Sequence, residues 1–259
     1  MDIVVCVKRV PDTTQTDILR IASSEKDIDK SGLVYKMNDW DEYALETAVQ
    51  LKEKFGGTIT ALTIGTADWD DILRRSLAMG ADSAIRIDYD IAPEDPYVVA
   101  KVLKILIQRL RYDLVLFGAQ SEDFGSGQLG VMVAEILDIP HSTLVVELAV
   151  EEKQIHVKKE LEGGMLESYI ITLPALLTIQ TGINQPRYIS MAGIRRAMRK
   201  ELEVKSLEDL GLSPQDLRPM VTLEKLELPS REGEAEFITG TAEEVAGQVV
   251  KMLKDSGIF

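Results

Sequence analysis

The chain has 259 residues, 43 acidic against 29 basic, giving a net charge of -14 at pH 7, and 45% of it is hydrophobic. At about 150 residues per domain this is one large domain or a domain with an appendage, and the composition excludes disorder for most of it and nucleic-acid binding through a general basic surface. A single cysteine, Cys6, makes no internal disulfide and, with only His141 and His156 beside it, completes no Cys/His zinc site; it points to a reducing, cytoplasmic setting.

Asp2 stands where an export signal needs a basic region, the apolar run over residues 3–7 is short, and no stretch reaches the roughly 18 apolar residues of a membrane span. Residues 3–8 read as a short buried strand. After a turn-rich stretch through Pro11, Asp12, Ser31 and Gly32, residues 39–55 carry Tyr43, Ala44, Ala48, Leu51 and Phe55 near helical spacing, closed by Gly56 and Gly57. Residues 58–64 read as a strand, 68–79 as a helix stopped by Gly80, 83–87 as a strand, 93–110 as a long helix, 114–117 as a strand and 126–137 as a helix. This β-α alternation predicts a parallel sheet covered by helices on both faces. Ligands bind such sheets at the carboxyl ends of the strands, here residues 8–12, 65–68 and 118–130, which are expected to converge.

The pattern then changes. Residues 143–150, 154–160 and 166–172 read as strands with a hairpin loop at Gly163 and Gly164, and residues 175–179 as a buried strand. Residues 182–200 read as a loop that concentrates Arg187, Arg195, Arg196, Arg199 and Lys200 in an otherwise acidic protein. From residue 201 onward a loop, a Pro/Glu/Gly segment near 228–236 and an amphipathic helix over 241–254 look like an arm, stable against a partner.

Residues 125–130 read GSGQLG, the glycine pattern of dinucleotide-binding folds, with a strand before and a helix after. In that fingerprint the first glycine ends the first strand, whereas here about seven residues follow the fourth strand. Two readings remain: backbone N–H groups at a helix N-terminus receiving a phosphate, or a tight turn serving backbone geometry. Asp123, Phe124 and Gly125 repeat a kinase tripeptide without its companion loops, and no phosphate-binding G-x-x-x-x-G-K-[ST] loop, Ser-Gly-Gly-x-Asp loop or G-x-S-x-G elbow occurs. A binding site without a catalytic apparatus is left. Cys6 reads as a core residue, His141 as a turn or surface residue, Glu122 and Asp123 as solvated loop, and Met191 as a methionine with no internal face.

Six spaced segments now stand together: VCVKRVPD (5–12), MNDWDEYALE (37–46), LAMGAD (77–82), GAQSEDFGSGQLG (118–130), VKKELEGGMLES (157–168) with LPALLT (173–178), and NQPRY (184–188). In this order they resemble the β subunit of electron transfer flavoproteins, from residue 2 to about residue 204. The resemblance implies an α/β, Rossmann-like parallel sheet of the adenine-nucleotide-binding type with an added β-hairpin region and a C-terminal arm. It implies a division into a nucleotide-binding domain over 1–204, with a partner-recognition loop at 184–200, and an arm over 205–259 that contacts an α subunit. It also implies a heterodimer that carries electrons on flavin from a dehydrogenase, such as an acyl-CoA dehydrogenase, to a downstream oxidoreductase, without membrane insertion or catalytic residues of its own. The cofactors implied are the FAD of the α subunit and an adenine nucleotide in the β chain, a second FAD in members that bifurcate electrons or AMP in others.

By resemblance the nucleotide falls to Cys6, Asn38, Asp39, Trp40, Asp41, Ile64, Gly65, Gly118, Ala119, Gln120, Ser121, Asp123, Gly125, Ser126, Gly127, Gln128 and Leu129, with Trp40 also near the α-subunit flavin. Docking falls to Arg187, Tyr188, Met191, Arg195 and Arg196. Leu129 replaces the hydroxyl that AMP-type members tend to carry and Gly125 replaces an acid, while YALE (43–46) resembles the bifurcating kind. The alternative is a stand-alone ATP-binding stress or signalling module of the same topology. It accounts for the β-α half but not for the hairpins, the basic loop or the arm. An NAD-dependent dehydrogenase would need a fingerprint at the first strand and a placed acid or base, and neither is present.

Overall fold

Ile3–Cys6 form strand β1, buried on both sides as a central parallel strand must be. The computed structural model describes residues 1–15, 19–90, 95–229 and 237–257. After β1 come β2 (Arg9–Pro11), β3 (Tyr35–Met37), α1 (Asp39–Phe55), β4 (Ile59–Gly65), α2 (Asp70–Met79), β5 (Ser83–Asp88), α3 (Pro96–Ile107), β6 (Leu114–Gly118) and α4 (Leu129–Leu137). The second half adds β7 (His141–Glu151), β8 (Gln154–Glu160), β9 (Leu166–Thr172), β10 (Ala175–Ile179), α5 (Met191–Arg199), β11 (Glu203–Lys205) and α6 (Ala242–Asp255).

Among the described residues nine strands make one sheet in the order β11-β5-β4-β1-β6-β10-β7-β8-β9, parallel from β11 to β7 and antiparallel across β7, β8 and β9. This is the expected Rossmann-like α/β class with its hairpin extension. Alternation along the strands separates two cores. Ile3, Val5 and Val7 face Leu45 and Ala48 of α1 and Leu73 and Leu77 of α2, while Val4 and Cys6 face Val102 and Leu106 of α3 and Val133 of α4. Chain order reverses between β1 and β6, because β4 and β5 extend the sheet on one side of β1 and β6 and β10 on the other. The carboxyl ends of β1 and β6 are therefore the crevice where ligands enter folds of this kind.

Helix α1 begins with Asp39, Asp41 and Glu42 in its first turn and ends with Lys52 and Lys54, charges that complement the helix dipole. It stops at Gly56, whose φ of 71° suits glycine and whose N–H donates to Lys52 O at 2.8 Å. Helix α3 starts later than the periodicity implies, at Pro96, because the Asp95 carboxylate caps it by accepting from Tyr97 N at 2.9 Å. Residues 93–94, where that helix was expected to begin, lie outside the described residues, as do residues 230–236 of the Pro/Glu/Gly segment. Helix α4 likewise begins at Leu129 rather than at Ser126.

Other expectations are corrected. Residues 191–199, read as loop, are helix α5: Ser190 Oγ accepts from Gly193 N at 3.1 Å, and Gly193 and Ala197 turn inward. His141 is the first residue of β7 rather than a turn residue. The stretch after β1 holds a small antiparallel ribbon, β2 with β3, and residues 203–205 join the main sheet beside β5. Leu207, Leu210 and Leu217 are buried in the core on the α3 side, whereas no residue of α6 is buried.

Candidate functional site

The crevice between β1 and β6 is tied together by Asp41 from the first turn of α1. Its Oδ2 accepts from Lys8 N at 2.7 Å and its Oδ1 from Gly118 N at 3.1 Å, so one carboxylate joins the ends of both strands. Gly118 allows this closeness, since a Cβ there would lie 2.3 Å from Asp41 Oδ1 and 2.6 Å from Trp40 Cβ. Burial pushes the Asp41 carboxyl up to about 7, the bonds from Lys8, Asn38 and Gly118 pulling the other way. Asn38, itself buried, donates through Nδ2 to Gln120 O at 2.8 Å and accepts from Glu122 N at 3.0 Å, which fastens residues 120–122 to the start of α1.

Two lysines hold the rest of the loop. Lys8 Nζ pairs with Asp123 at 2.6 Å, lies 3.4 Å from Ser121 Oγ and stands 4.7 Å from the centroid of the Phe124 ring. Lys36 Nζ bridges Asp39 at 2.7 Å and Glu122 at 3.0 Å. Burial raises the Glu122 carboxyl, the adjacent Asp39 adds to the effect, and Glu122 Oε2 meets no hydrogen-bond partner among the described residues.

Beyond Asp123 the backbone turns through Gly125 and Gly127, at φ 62° and 61°, into the N-terminus of α4. Ala119 N donates to Ile179 O and Gly125 N to Ser121 O, but the N–H groups of Ser126, Gly127, Gln128, Leu129 and Gly130 meet no acceptor among the described residues. Gln128 offers no side-chain cap either. Several donors at the positive end of a helix form an anion site. The glycine loop and its free donors fit a phosphorylated ligand. Gly130 brings α4 against β10, where a Cβ would lie 2.4 Å from Thr178 Cγ2.

The strand ends at residues 8–12, 65–68 and 118–130 do converge: Arg9 pairs with Asp68 at 2.9 Å and Asp71 at 3.1 Å, alongside the Lys8 contacts to Ser121 and Asp123. Cys6 is buried at the end of β1, its thiol pushed well up by burial. Ile64 is buried beside it, one strand away. Gly65 is covered by this chain's own Trp69, whose indole Cδ2 would lie 2.3 Å from a Cβ. Trp40 is oriented by its Nε1–H donating to Gln180 Oε1 at 2.8 Å. The residues expected to dock a partner form a separate group. Residues 184–187 run along α1, and α5 packs on α2, with Tyr188 at 95% and Met191 at 64% exposure. Arg187 differs from Arg195 and Arg196 in being bonded to Glu46 and Glu53 within the chain.

Lys8 and Glu122 fall within the expected strand-end stretches 8–12 and 118–130, though Glu122, read there as solvated loop, is instead part-buried and paired with Lys36; Lys36 and Gln180 fall outside every expected stretch. Gln180 directly follows the buried strand β10 and Lys8 comes two residues after the end of β1, and this closeness to strand ends is the one sequence signal for them. The pairing of Lys36 with Glu122 spans 86 positions of sequence and carries none.

Residues 27–210 match the family model described as the electron transfer flavoprotein domain. The chain belongs to the electron transfer flavoprotein family. A relative in Bacillus subtilis (strain 168), electron transfer flavoprotein subunit beta, is 37% identical over 257 residues, 98% of each chain. The protein of the same description in Methylophilus methylotrophus is 35% identical over 263 residues, again 98% of each. The caffeyl-CoA reductase-Etf complex subunit CarD of Acetobacterium woodii is 34% identical over 267 residues, covering both chains in full. These alignments run through the hairpins, α5 and the C-terminal segment, so the flavoprotein β-subunit role in electron transfer replaces the stand-alone ATP-binding alternative. The family binds FAD, and its β subunits pair with α subunits. Among the described residues no helix is long and apolar enough to cross a membrane.

Proposed function

We propose that this β chain holds an adenine nucleotide in the crevice between β1 and β6 and presents α5 to the electron donors of an αβ complex. The observation that carries the first part is the run of N–H groups from Ser126 to Gly130 without acceptors among the described residues, leading into α4. These donors receive the phosphate, and Gly125 and Gly127 let the backbone curve around it. Lys8 and Lys36 neutralise Asp123, Asp39 and Glu122, which would otherwise repel an anion. Cys6 and Ile64 back the β1 and β4 side of the nucleotide, where Trp69 of this chain, rather than the ligand, covers Gly65, and Asn38 and Asp41 fix the loop from α1.

The flavin, when bound, supplies the redox chemistry, and this chain supplies binding, orientation and exclusion of water. Trp40, steered by Gln180, faces the FAD of the α subunit. Tyr188, Met191, Arg195 and Arg196 dock a dehydrogenase such as an acyl-CoA dehydrogenase, Met191 entering an apolar pocket within a basic rim. Within residues 205–259, whose stretch through Leu217 packs on this chain's own core, α6 covers the α subunit, the complex works in the cytoplasm, and substrate conversion takes place on its partners.

Acid release of nucleotides from the purified αβ complex, with chromatographic separation of FAD and AMP, tests this. One FAD with one AMP makes the β nucleotide a structural ligand, which stabilises the fold that binds it. Two FAD per heterodimer put a flavin on residues 118–129 and open electron bifurcation as the working mechanism. A complex with one FAD and no second nucleotide refutes the reading of the crevice.

A further inference from the structure

Exposed docking side chains need a fixed base, and Arg187 is placed to supply it. Asn184 first attaches the segment to α1, its Nδ2 donating to Tyr43 O at 3.0 Å and to Thr47 Oγ1 at 2.8 Å. Three residues on, the Arg187 guanidinium spans two carboxylates of the same helix. Nε and Nη2 donate to Glu46 at 2.8 and 3.0 Å, and Nη1 and Nη2 to Glu53 at 2.7 and 3.2 Å. Arg187 N donates to Glu46 Oε2 as well, at 3.3 Å. The Glu46 side chain is only 3% exposed, so its charge is satisfied within the fold and Arg187 has no free charge for a partner. The planar fork reaches both carboxylates at once, which a lysine ammonium could not do in the same geometry.

The next residue, Tyr188, is 95% exposed, and α5 follows. At its far end α5 is held by Arg74, which donates to the carbonyls of Ala197 and Lys200, and by Lys200 Nζ, which donates to Ala81 O at 2.7 Å and Asp82 O at 3.1 Å. The far end is thus pinned to α2 and the near end to α1. The helix α1 that carries Glu46 and Glu53 is also the one whose first turn closes the crevice through Asp41.

We propose that Arg187 is a positioning residue for electron transfer: by bridging Glu46 and Glu53 it fixes residues 188–199 in the arrangement that donors recognise. The inference rests on the docking reading of Tyr188 and Met191. Preordering of this kind lowers the cost of association without adding a contact. Removing it therefore raises the donor concentration needed for half-maximal rate and leaves the rate at saturation unchanged.

The test compares native, Arg187→Lys and Met191→Ala αβ complexes. Amide hydrogen exchange and reduction by a substrate-reduced acyl-CoA dehydrogenase are measured on each. For Arg187→Lys the expected result is exchange about 10-fold faster within residues 188–199, unchanged exchange in residues 3–6 and 114–118, and a half-saturating dehydrogenase concentration raised about 10-fold at the native plateau rate. Native exchange over 188–199, or faster exchange in the central strands as well, would overturn the proposal. A plateau rate that falls while half-saturation stays native would do the same. If Met191→Ala leaves half-saturation native, the docking reading falls and takes the electron-transfer role of Arg187 with it, while the exchange data still show whether Arg187 holds the segment.

Discussion

Asp41 makes the crevice a single unit, because two backbone N–H groups from strands far apart in sequence depend on one carboxylate. In Asp41→Asn one amide face donates instead of accepting, so a buried N–H loses its acceptor. We expect a loss of about 1–3 kcal/mol in denaturant unfolding. The pH dependence has a definite sign. With the folded-state carboxyl raised to about 7 from 3.8, its contribution is complete below the lower value and is lost as pH rises through the upper one. The stability gap between the native chain and Asp41→Asn should therefore narrow from about pH 4 to about pH 8, and a gap that widens over that range contradicts the assignment. Asp41 was legible as a site residue through its motif, but its bridging role was not. That role depends on Lys8 and Gly118, more than a hundred positions apart, lying side by side at the ends of parallel strands.

Helices α3, α4 and α5 show what local signals convey. The Asp95-Pro96 pair starts α3, and the same carboxylate accepts from Met220 N and from Val221 N at 3.4 Å. Asp95→Ala should cost about 1–2 kcal/mol and speed amide exchange at residues 220 and 221; unchanged exchange there would separate the cap from the clamp. In α4, Gly130→Ala gains helix propensity but sets its methyl against the buried Thr178. Overpacking of about 1–3 kcal/mol against a gain near 1 predicts net destabilisation in thermal unfolding. Long elements with regular periodicity were readable from sequence. Helix α5 was not, because Asn184, Pro186 and Gly193 imitate a loop. Gly193 instead serves close packing, a Cβ there lying 3.0 Å from Ala78 O. The three-residue strands β2, β3 and β11 were missed because their pairing is set by distant partners rather than by their own composition.

At the scale of the molecule, charge is divided. A chain of net charge -14 exposes Arg195, Arg196 and Arg199 together on α5. Electron delivery from an acidic donor should slow as ionic strength rises past about 0.1 M, where the Debye length falls to roughly 10 Å; a rate flat in salt would remove the electrostatic part of docking. The layout of the sheet and the position of its crevice followed from the order of strands and helices, because a β-α repeat permits few topologies. Which polar groups meet there depended on tertiary pairing. The most direct test of the central claim, that residues 125–130 cradle a nucleotide phosphate, is the nucleotide retained by a purified αβ complex carrying Gly127→Val. A β-branched side chain at φ 61° costs on the order of 1–3 kcal/mol in the loop. The account predicts a complex that assembles and keeps the FAD of its α subunit but loses the second nucleotide. Full retention of both nucleotides, with circular dichroism unchanged, would contradict it.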